Sequence, residues 1–339
     1  MAVTLKPIET QVMVITGATS GIGLVTARMA AKRGARLVLA ARNEDALGKL
    51  CHELSNAGTQ CYYVVADVGR EDQVRRIAAE ALGAFGSFDT WVNNAATSIY
   101  GKLEDVPLDD LRRLFETNFW GVVYGSLVAL RTLKIHGGAL INVGSTLGDR
   151  AIPLQGMYCA SKHAVKGFTD ALRVEIESED APVSISLIKP AAIDTPYKEH
   201  ARNYLATEPE NPPPVYAPET VAETILYCAE HPVRDVFVGS AAKAHSLAGK
   251  LAPGTYDRIM EATYLGQTRS GEPAEPRDLE SLYEPRDSRL QERGSYRWPV
   301  LENSIYTKAS LHPAITTAVA TGAAIAIGGI AYRLMRRNL

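Results

Sequence analysis

Short apolar runs recur along the chain and are separated by longer amphipathic stretches. The first is Val12-Met13-Val14-Ile15, and similar runs lie near residues 36–41, 61–66, 88–92, 138–144, 183–189 and 234–239. Runs of this length predict strands, and their near-continuous apolar character predicts burial on both faces. The intervals predict helices, the long ones near 107–134 and 155–179. Strands alternating with helices predict an α/β fold, a doubly wound seven-stranded parallel sheet with helices on both faces. Residues 1–252 hold this alternation and are expected to form a single catalytic domain, since about 240 residues readily bury one sheet and its covering helices.

The first run leads straight into Thr16-Gly17-Ala18-Thr19-Ser20-Gly21-Ile22-Gly23, and a helical pattern beginning Leu24-Val25-Thr26 follows. A strand, a glycine-rich turn and a helix make the start of a dinucleotide site. Glycines allow the tight turn and the close approach of backbone to a pyrophosphate. The helix N-terminus then presents N–H groups and the positive end of its dipole. A second pattern lies far downstream. Tyr158 and Lys162 stand four apart in Tyr158-Cys159-Ala160-Ser161-Lys162, one turn apart on one helix face, with Ser145 thirteen residues earlier. An unperturbed phenol has a pKa of about 10, and a neighbouring ammonium favours the phenolate. Lowering that pKa by ~3 units corresponds to roughly 4 kcal/mol, which would make Tyr158 a workable general acid/base.

Together these motifs resemble the short-chain dehydrogenase/reductase family, in its single-domain branch, whose spacing T-G-x-x-x-G-x-G is the one seen here. The resemblance runs from about Gln11 to about Ala252. It implies a Rossmann-type fold and a nicotinamide cofactor, with Gly17, Thr19, Ser20, Gly21, Ile22 and Gly23 at the phosphates. Asn93-Asn94-Ala95-Ala96 is similar to the family's N-N-A-G element, which stabilises the sheet and places Asn94 and Ala95 at the cofactor. Asn118 matches the asparagine that holds a water beside the lysine, and Ser145 the serine that binds the substrate oxygen. Lys189-Pro190-Ala191-Ala192-Ile193-Asp194-Thr195 is similar to the segment beside the nicotinamide, and so implies roles there for Pro190, Ile193 and Thr195. Ala96 and Ala191 stand where glycines are expected, each adding one methyl near the cofactor. The implied chemistry is hydride transfer to a carbonyl carbon, with Tyr158 passing the proton, Ser145 bonding the oxygen and Asn118 completing a relay. Lys162 is the implied modulator of Tyr158 and also a ligand of the nicotinamide ribose. Residues 194–216 correspond to a mobile lid over the substrate.

The second run ends in Ala40-Ala41-Arg42-Asn43, with no acid where an NAD-preferring chain would take the ribose 2′-hydroxyl. Arg42 is placed to meet a 2′-phosphate, so NADP is favoured over NAD. The other reading of Arg42 is a solvated helix-start residue. Asp67 matches the family's adenine-contacting aspartate, and equally reads as a cap for a helix over Gly69–Ala84. Leu147, Ile152, Leu154, Gln155 and Met157 are either walls of a pocket for a lipophilic carbonyl or plain core.

Composition narrows the partners. The net charge of −2 over 339 residues implies no polyanion, and basic residues are spread out without an aromatic array for nucleic acid. Cys51, Cys61, Cys159 and Cys228 show no paired or metal-binding spacing and read as reduced thiols in a cytosolic compartment, Cys159 as packing. Met1–Gln11 lacks the apolar core of a signal peptide. Residues 253–312 form an extension, of which Gly266–Ser295, rich in Glu, Arg, Asp, Pro and Ser, reads as an extended mobile linker. Residues 313–339 form a tail: Ala314–Ala331 is free of charge and Arg333, Arg336 and Arg337 follow. About 20 such residues cross a bilayer core, so a membrane anchor is expected, with a helix packed on the protein or lying at the interface as the other readings. Homo-dimers or tetramers through the two longest helices are implied by the resemblance. A second class of function is a regulatory nucleotide-binding protein without turnover, against which the intact Asn118, Ser145, Tyr158 and Lys162 set argues.

Overall fold

The computed structural model describes residues 3–264, 269–274, 280–285, 289–312 and 316. Its centre is a seven-stranded sheet: β1 (Val12–Thr16), β2 (Arg36–Ala41), β3 (Cys61–Val65), β4 (Thr90–Asn93), β5 (Gly138–Val143), β6 (Val183–Pro190) and β7 (Asp235–Val238). The spatial order is β7-β6-β5-β4-β1-β2-β3, with every neighbouring pair parallel. The order reverses between β1 and β4, and in sheets of this type the crevice beyond the strand ends at that point holds the ligand.

The strands form where apolar runs stand, and both faces of the inner strands are covered, whereas the edge strand β3 leaves Tyr62 and Tyr63 exposed. Met13 and Ile15 of β1 pack in a cluster with Leu37, Leu39, Leu24 and Ile225, while Val12 and Val14 pack on the opposite face with Val38, Ile77, Leu130 and Leu172. Alternate residues therefore enter two cores, which is why the run carries no polar alternation. The first core is closed by α1 (Gly21–Lys32), α2 (Glu44–Asn56) and a later helix, α7 (Pro218–Glu230). The second is closed by α3 (Glu71–Phe85), α5 (Gly121–His136) and α6 (Gly156–Ser178). Asn43 caps α2 by accepting from Ala46 N at 2.9 Å.

The helix expected near 107–134 is two helices, α4 (Leu108–Phe115) and α5, joined by a π-helical turn over Glu116–Trp120 that holds Asn118. Such an extra residue in a turn is common at functional sites. Residues 194–216 are tied down by three short pairings. Arg202–Asn203 lies parallel to Ile99–Tyr100, Thr207–Pro209 antiparallel to Arg269–Pro273, and Val215–Tyr216 parallel to Ala192–Ile193.

Two expectations are corrected. The first concerns the extension, whose described parts lie along the domain rather than away from it. After α8 (Ser240–Leu251) and α9 (Pro253–Ile259), the chain returns over the nucleotide half. Leu282 is fully buried, Leu301 bridges to Tyr216, and α10 (Ile305–Leu311) places Leu311 in the first core. Thr307 Oγ accepts from Gly239 N at 2.9 Å, fixing α10 to the end of β7. Polar composition misleads here because this stretch packs through isolated residues and main-chain bonds. The second concerns the cysteines. Cys51 on α2 and Cys61 on β3 form a disulfide with Cα atoms 5.5 Å apart, because the chain doubles back from α2 into the edge strand. The argument for a reducing compartment from four unpaired thiols therefore falls, while Cys159 and Cys228 are free and buried. Apart from Thr316, the segment expected to anchor the chain lies outside the described residues, and among those described no helix is long and apolar enough to cross a membrane.

Candidate active site

One cavity of about 550 Å³ opens at the C-terminal ends of the strands. It runs from Arg42 and Asp67, past the glycine-rich turn, to Ser145, Tyr158 and Lys162. The turn is shaped for close approach. Gly17 has φ +66°, and a Cβ there would stand 2.8 Å from Ala95 Cα. A Cβ on Gly23 would overlap the Gly17 carbonyl oxygen, so Gly23 backs the turn without lining the cavity. Asn94 holds the turn from the side, its Nδ2 donating to Thr16 O at 3.0 Å and Gly17 O at 3.2 Å. Beneath it Asn93 joins the strands, receiving from Trp91 Nε1 at 2.8 Å and donating to Asn142 Oδ1 at 2.9 Å.

Thr19, Ser20, Gly21, Ile22, Asn94, Ala95, Pro190, Ile193 and Thr195 all line this cavity. Ser20 is the N-cap residue of α1, and its side chain makes no capping hydrogen bond. A groove of this length, with a glycine cradle that any Cβ would fill, fits a dinucleotide. Leu147, Ile152 and Gln155 also line the cavity; Leu154 and Met157 do not, and are packing residues.

At the inner end α6 delivers Tyr158 and Lys162 to one face, both buried. The Lys162 ammonium lies 5.7 Å from the Tyr158 ring centroid and donates to Val143 O at 2.9 Å, which aims it along the end of β5. Burial pulls Lys162 down to about 8. Burial also pushes the Tyr158 phenol up to about 12, with the neighbouring hydroxyls of Tyr197 and Ser145 pulling it back. The sequence pattern implies a phenol lowered by its lysine. In the folded protein burial is the largest influence on the phenol and acts in the opposite direction.

Tyr197 is a site residue that motif reading misses. Its ring meets Tyr158 edge-on at 5.6 Å and Tyr100 at 6.4 Å, and its hydroxyl receives from Gln155 Nε2 at 3.1 Å. Gln155 Nε2 also donates to Ser98 Oγ at 3.0 Å. Burial raises the Tyr197 pKa well above its ordinary value, so it keeps its proton and acts as a donor. A tyrosine 39 positions after Tyr158 has no spacing relation to it, and the only signal was its place in the expected lid. His245 and Tyr256 are a further pair on the cavity wall, joined through His245 Nδ1, with His245 Nε2 bonded to Arg150 O at 3.0 Å.

Asn118 does not reach the cavity. It is fully buried, receiving from Thr97 N at 2.8 Å and donating to Thr97 O at 2.9 Å and Ser161 Oγ at 3.2 Å. It ties the loop after β4 to α6. Asp67 is not the cap of α3, which begins after Arg70. Its Oδ1 accepts from Gly69 N at 2.9 Å and its Oδ2 pairs with Arg113 at 2.5 Å. The Arg42 guanidinium does face the cavity, but it donates to main-chain carbonyls of the extension: Leu282 O at 3.2 Å, Tyr283 O at 3.0 Å and Ser281 O. No group of three or more side chains suited to a metal occurs among the described residues.

Comparison with known proteins shows the family of this chain. A family model described as short chain dehydrogenase matches residues 11–205. An uncharacterized oxidoreductase of Bacillus subtilis, YxnA, is 48% identical over 321 residues, covering 94% of this chain and 90% of its own. A short chain dehydrogenase/reductase from Burkholderia phymatum, solved in complex with NAD, superposes with a TM-score of 0.67 at 26% identity, covering 80% of this chain and 99% of that one. An alcohol dehydrogenase from the archaeon Thermococcus sibiricus, complexed with 5-hydroxy-NADP, gives a TM-score of 0.60 at 28% identity over 67% of this chain and 95% of that one.

Proposed function

The chain belongs to the short-chain dehydrogenase family and is an oxidoreductase, and from that premise we propose that it reduces a lipophilic carbonyl to an alcohol with NADPH, or runs the reverse, with Tyr158 as general acid/base. The reading is carried by the single cavity that joins the Gly17–Ile22 turn to Tyr158, Lys162 and Ser145. A bound nicotinamide supplies or takes up the hydride. Tyr158 gives its proton to the oxygen as negative charge develops there, and Ser145 bonds the same oxygen. Burial raises the phenol, so it holds the proton that reduction requires. Lys162 and the Tyr197 hydroxyl stabilise the phenolate left behind. Asn118 is a positioning residue, acting through Thr97 and Ser161.

A lipophilic substrate is supported by the walls Leu147, Ile152, Met260 and Pro212–Pro214. The 2′-phosphate cofactor is supported by Arg42 at the far end and by the lack of an acid after β2. Exposed Trp120 and Leu127 near α5 and Val174 on α6 support pairing of the two longest helices. With 313–339 as an anchor the substrate would be drawn from a bilayer, and carbonate extraction of the full chain against one ending at 312 tests that. For the chemistry, Tyr158→Phe is expected to bind NADPH unchanged while consumption of NADPH with a panel of ketones ceases. Activity retained in that variant removes the assignment, and absence of turnover in the parent protein favours the regulatory reading.

A further inference from the structure

At the Arg42 end the extension adds to the wall that the sheet domain provides. Ser281 and Pro285 line the cavity beside Arg42 and Asp67. Three carbonyls in a row, Ser281, Leu282 and Tyr283, accept from Arg42, and Leu282 O also accepts from Arg113 Nε at 3.1 Å. Ser281 N donates to His200 O at 3.0 Å, and the Tyr283 hydroxyl to Asp110 at 2.8 Å. Farther along, Gln291 O takes the N–H of Gly21 at 2.9 Å, and Gly294 N donates to Asp194 at 3.1 Å. Residues 281–285 thus lie at the Arg42 end of the cavity, and residues 289–294 are bonded to the glycine-rich turn and to Asp194.

We infer that residues 281–283 are a cofactor-discriminating strap, which releases Arg42 to a 2′-phosphate and stays latched over a 2′-hydroxyl. The inference rests on the NADP(H) reading above. Arg42 donates to neutral carbonyls of residues 281–283, and a phosphate adds to such bonds the attraction of opposite charges and a two-point fit to the guanidinium fork. A phosphate dianion therefore displaces the carbonyl row, whereas a hydroxyl offers no gain over it. The second stretch is held at Gly21, Asp194, Glu219 and Glu302, and none of these contacts involves Arg42.

Hydrogen–deuterium exchange of the full chain, with saturating NADP⁺ or NAD⁺, tests this. Both dinucleotides are expected to slow exchange across residues 17–23. Only NADP⁺ should speed exchange of the amides of 281–284, by several-fold. Tyr283→Phe, which loses the bond to Asp110, should quicken association of NADP⁺ by roughly tenfold and leave NAD⁺ unchanged. Strap amides that stay constant or slow with NADP⁺ while 17–23 is protected would overturn the strap and leave the functional reading intact. Equal acceleration of both cofactors in Tyr283→Phe would do the same. Protection of 17–23 by neither dinucleotide would sink both.

Discussion

Replacing Tyr197 by Phe isolates the group that most opposes the burial of Tyr158. The ring is retained, so its edge-on contacts with Tyr158 and Tyr100 persist and only the hydroxyl is lost. Burial drives Tyr158 up to about 12, and the Tyr197 hydroxyl is the strongest influence in the other direction, ahead of Ser145. A hydrogen bond to a charged acceptor contributes about 1.5–3 kcal/mol, and one pKa unit is 1.36 kcal/mol, so the phenol should rise by about 1–2 units. Oxidation of an alcohol needs the phenolate. Its kcat/KM at a fixed pH should therefore fall at least about tenfold, with the alkaline limb of the profile displaced upward. Reduction uses the phenol in the form it already holds, so its kcat/KM should change far less. Measuring kcat/KM against pH in both directions, for the parent and Tyr197→Phe, gives the comparison. An unmoved limb, or an equal loss in both directions at every pH, would refute the view that Tyr197 tunes Tyr158.

Three further outcomes are expected. Lys162 has a folded pKa of about 8 against 10.5 in the unfolded chain, so between those values the unfolded chain binds the extra proton and stability rises with pH. Urea unfolding from pH 8 to 10.5 should show the parent gaining on Lys162→Met by up to about 3 kcal/mol; a constant difference would contradict the buried-ammonium account. Replacing Cys51 by Ser opens a link between positions 10 apart and should lower stability by roughly 2.5 kcal/mol, with no further loss on adding reductant. Leu311→Ala on α10 should destabilise the catalytic domain by about 2–4 kcal/mol in the same assay, and an unchanged midpoint would mean that α10 is not part of the core.

The sheet was legible from the chain because its information is local. Seven apolar runs, each a few residues long, mark the strands to within about two residues, since a strand covered on both faces tolerates little else. The Gly17–Gly23 turn and the Tyr158 to Lys162 spacing are likewise short-range, each fixed by the geometry of one turn or one helix. The pocket walls were half legible: Leu147 and Ile152 face the cavity while Leu154 and Met157 do not, because apolar composition alone does not say which way a loop residue turns.

What the tertiary structure decided lies between segments far apart in sequence. Tyr197 reaches Tyr158 only because the chain after β6 folds back over α6, and Cys51 meets Cys61 only because α2 runs back beside the edge strand. The burial that raises the Tyr158 phenol is decided in the same way: a neighbouring lysine is visible in a sequence, but the water excluded around a phenol is not. The extension shows the limit most plainly. It takes hold of Arg42 and Gly21 through the carbonyls of Ser281, Leu282, Tyr283 and Gln291. Every residue carries that same carbonyl, so no choice of side chains could have announced the contact.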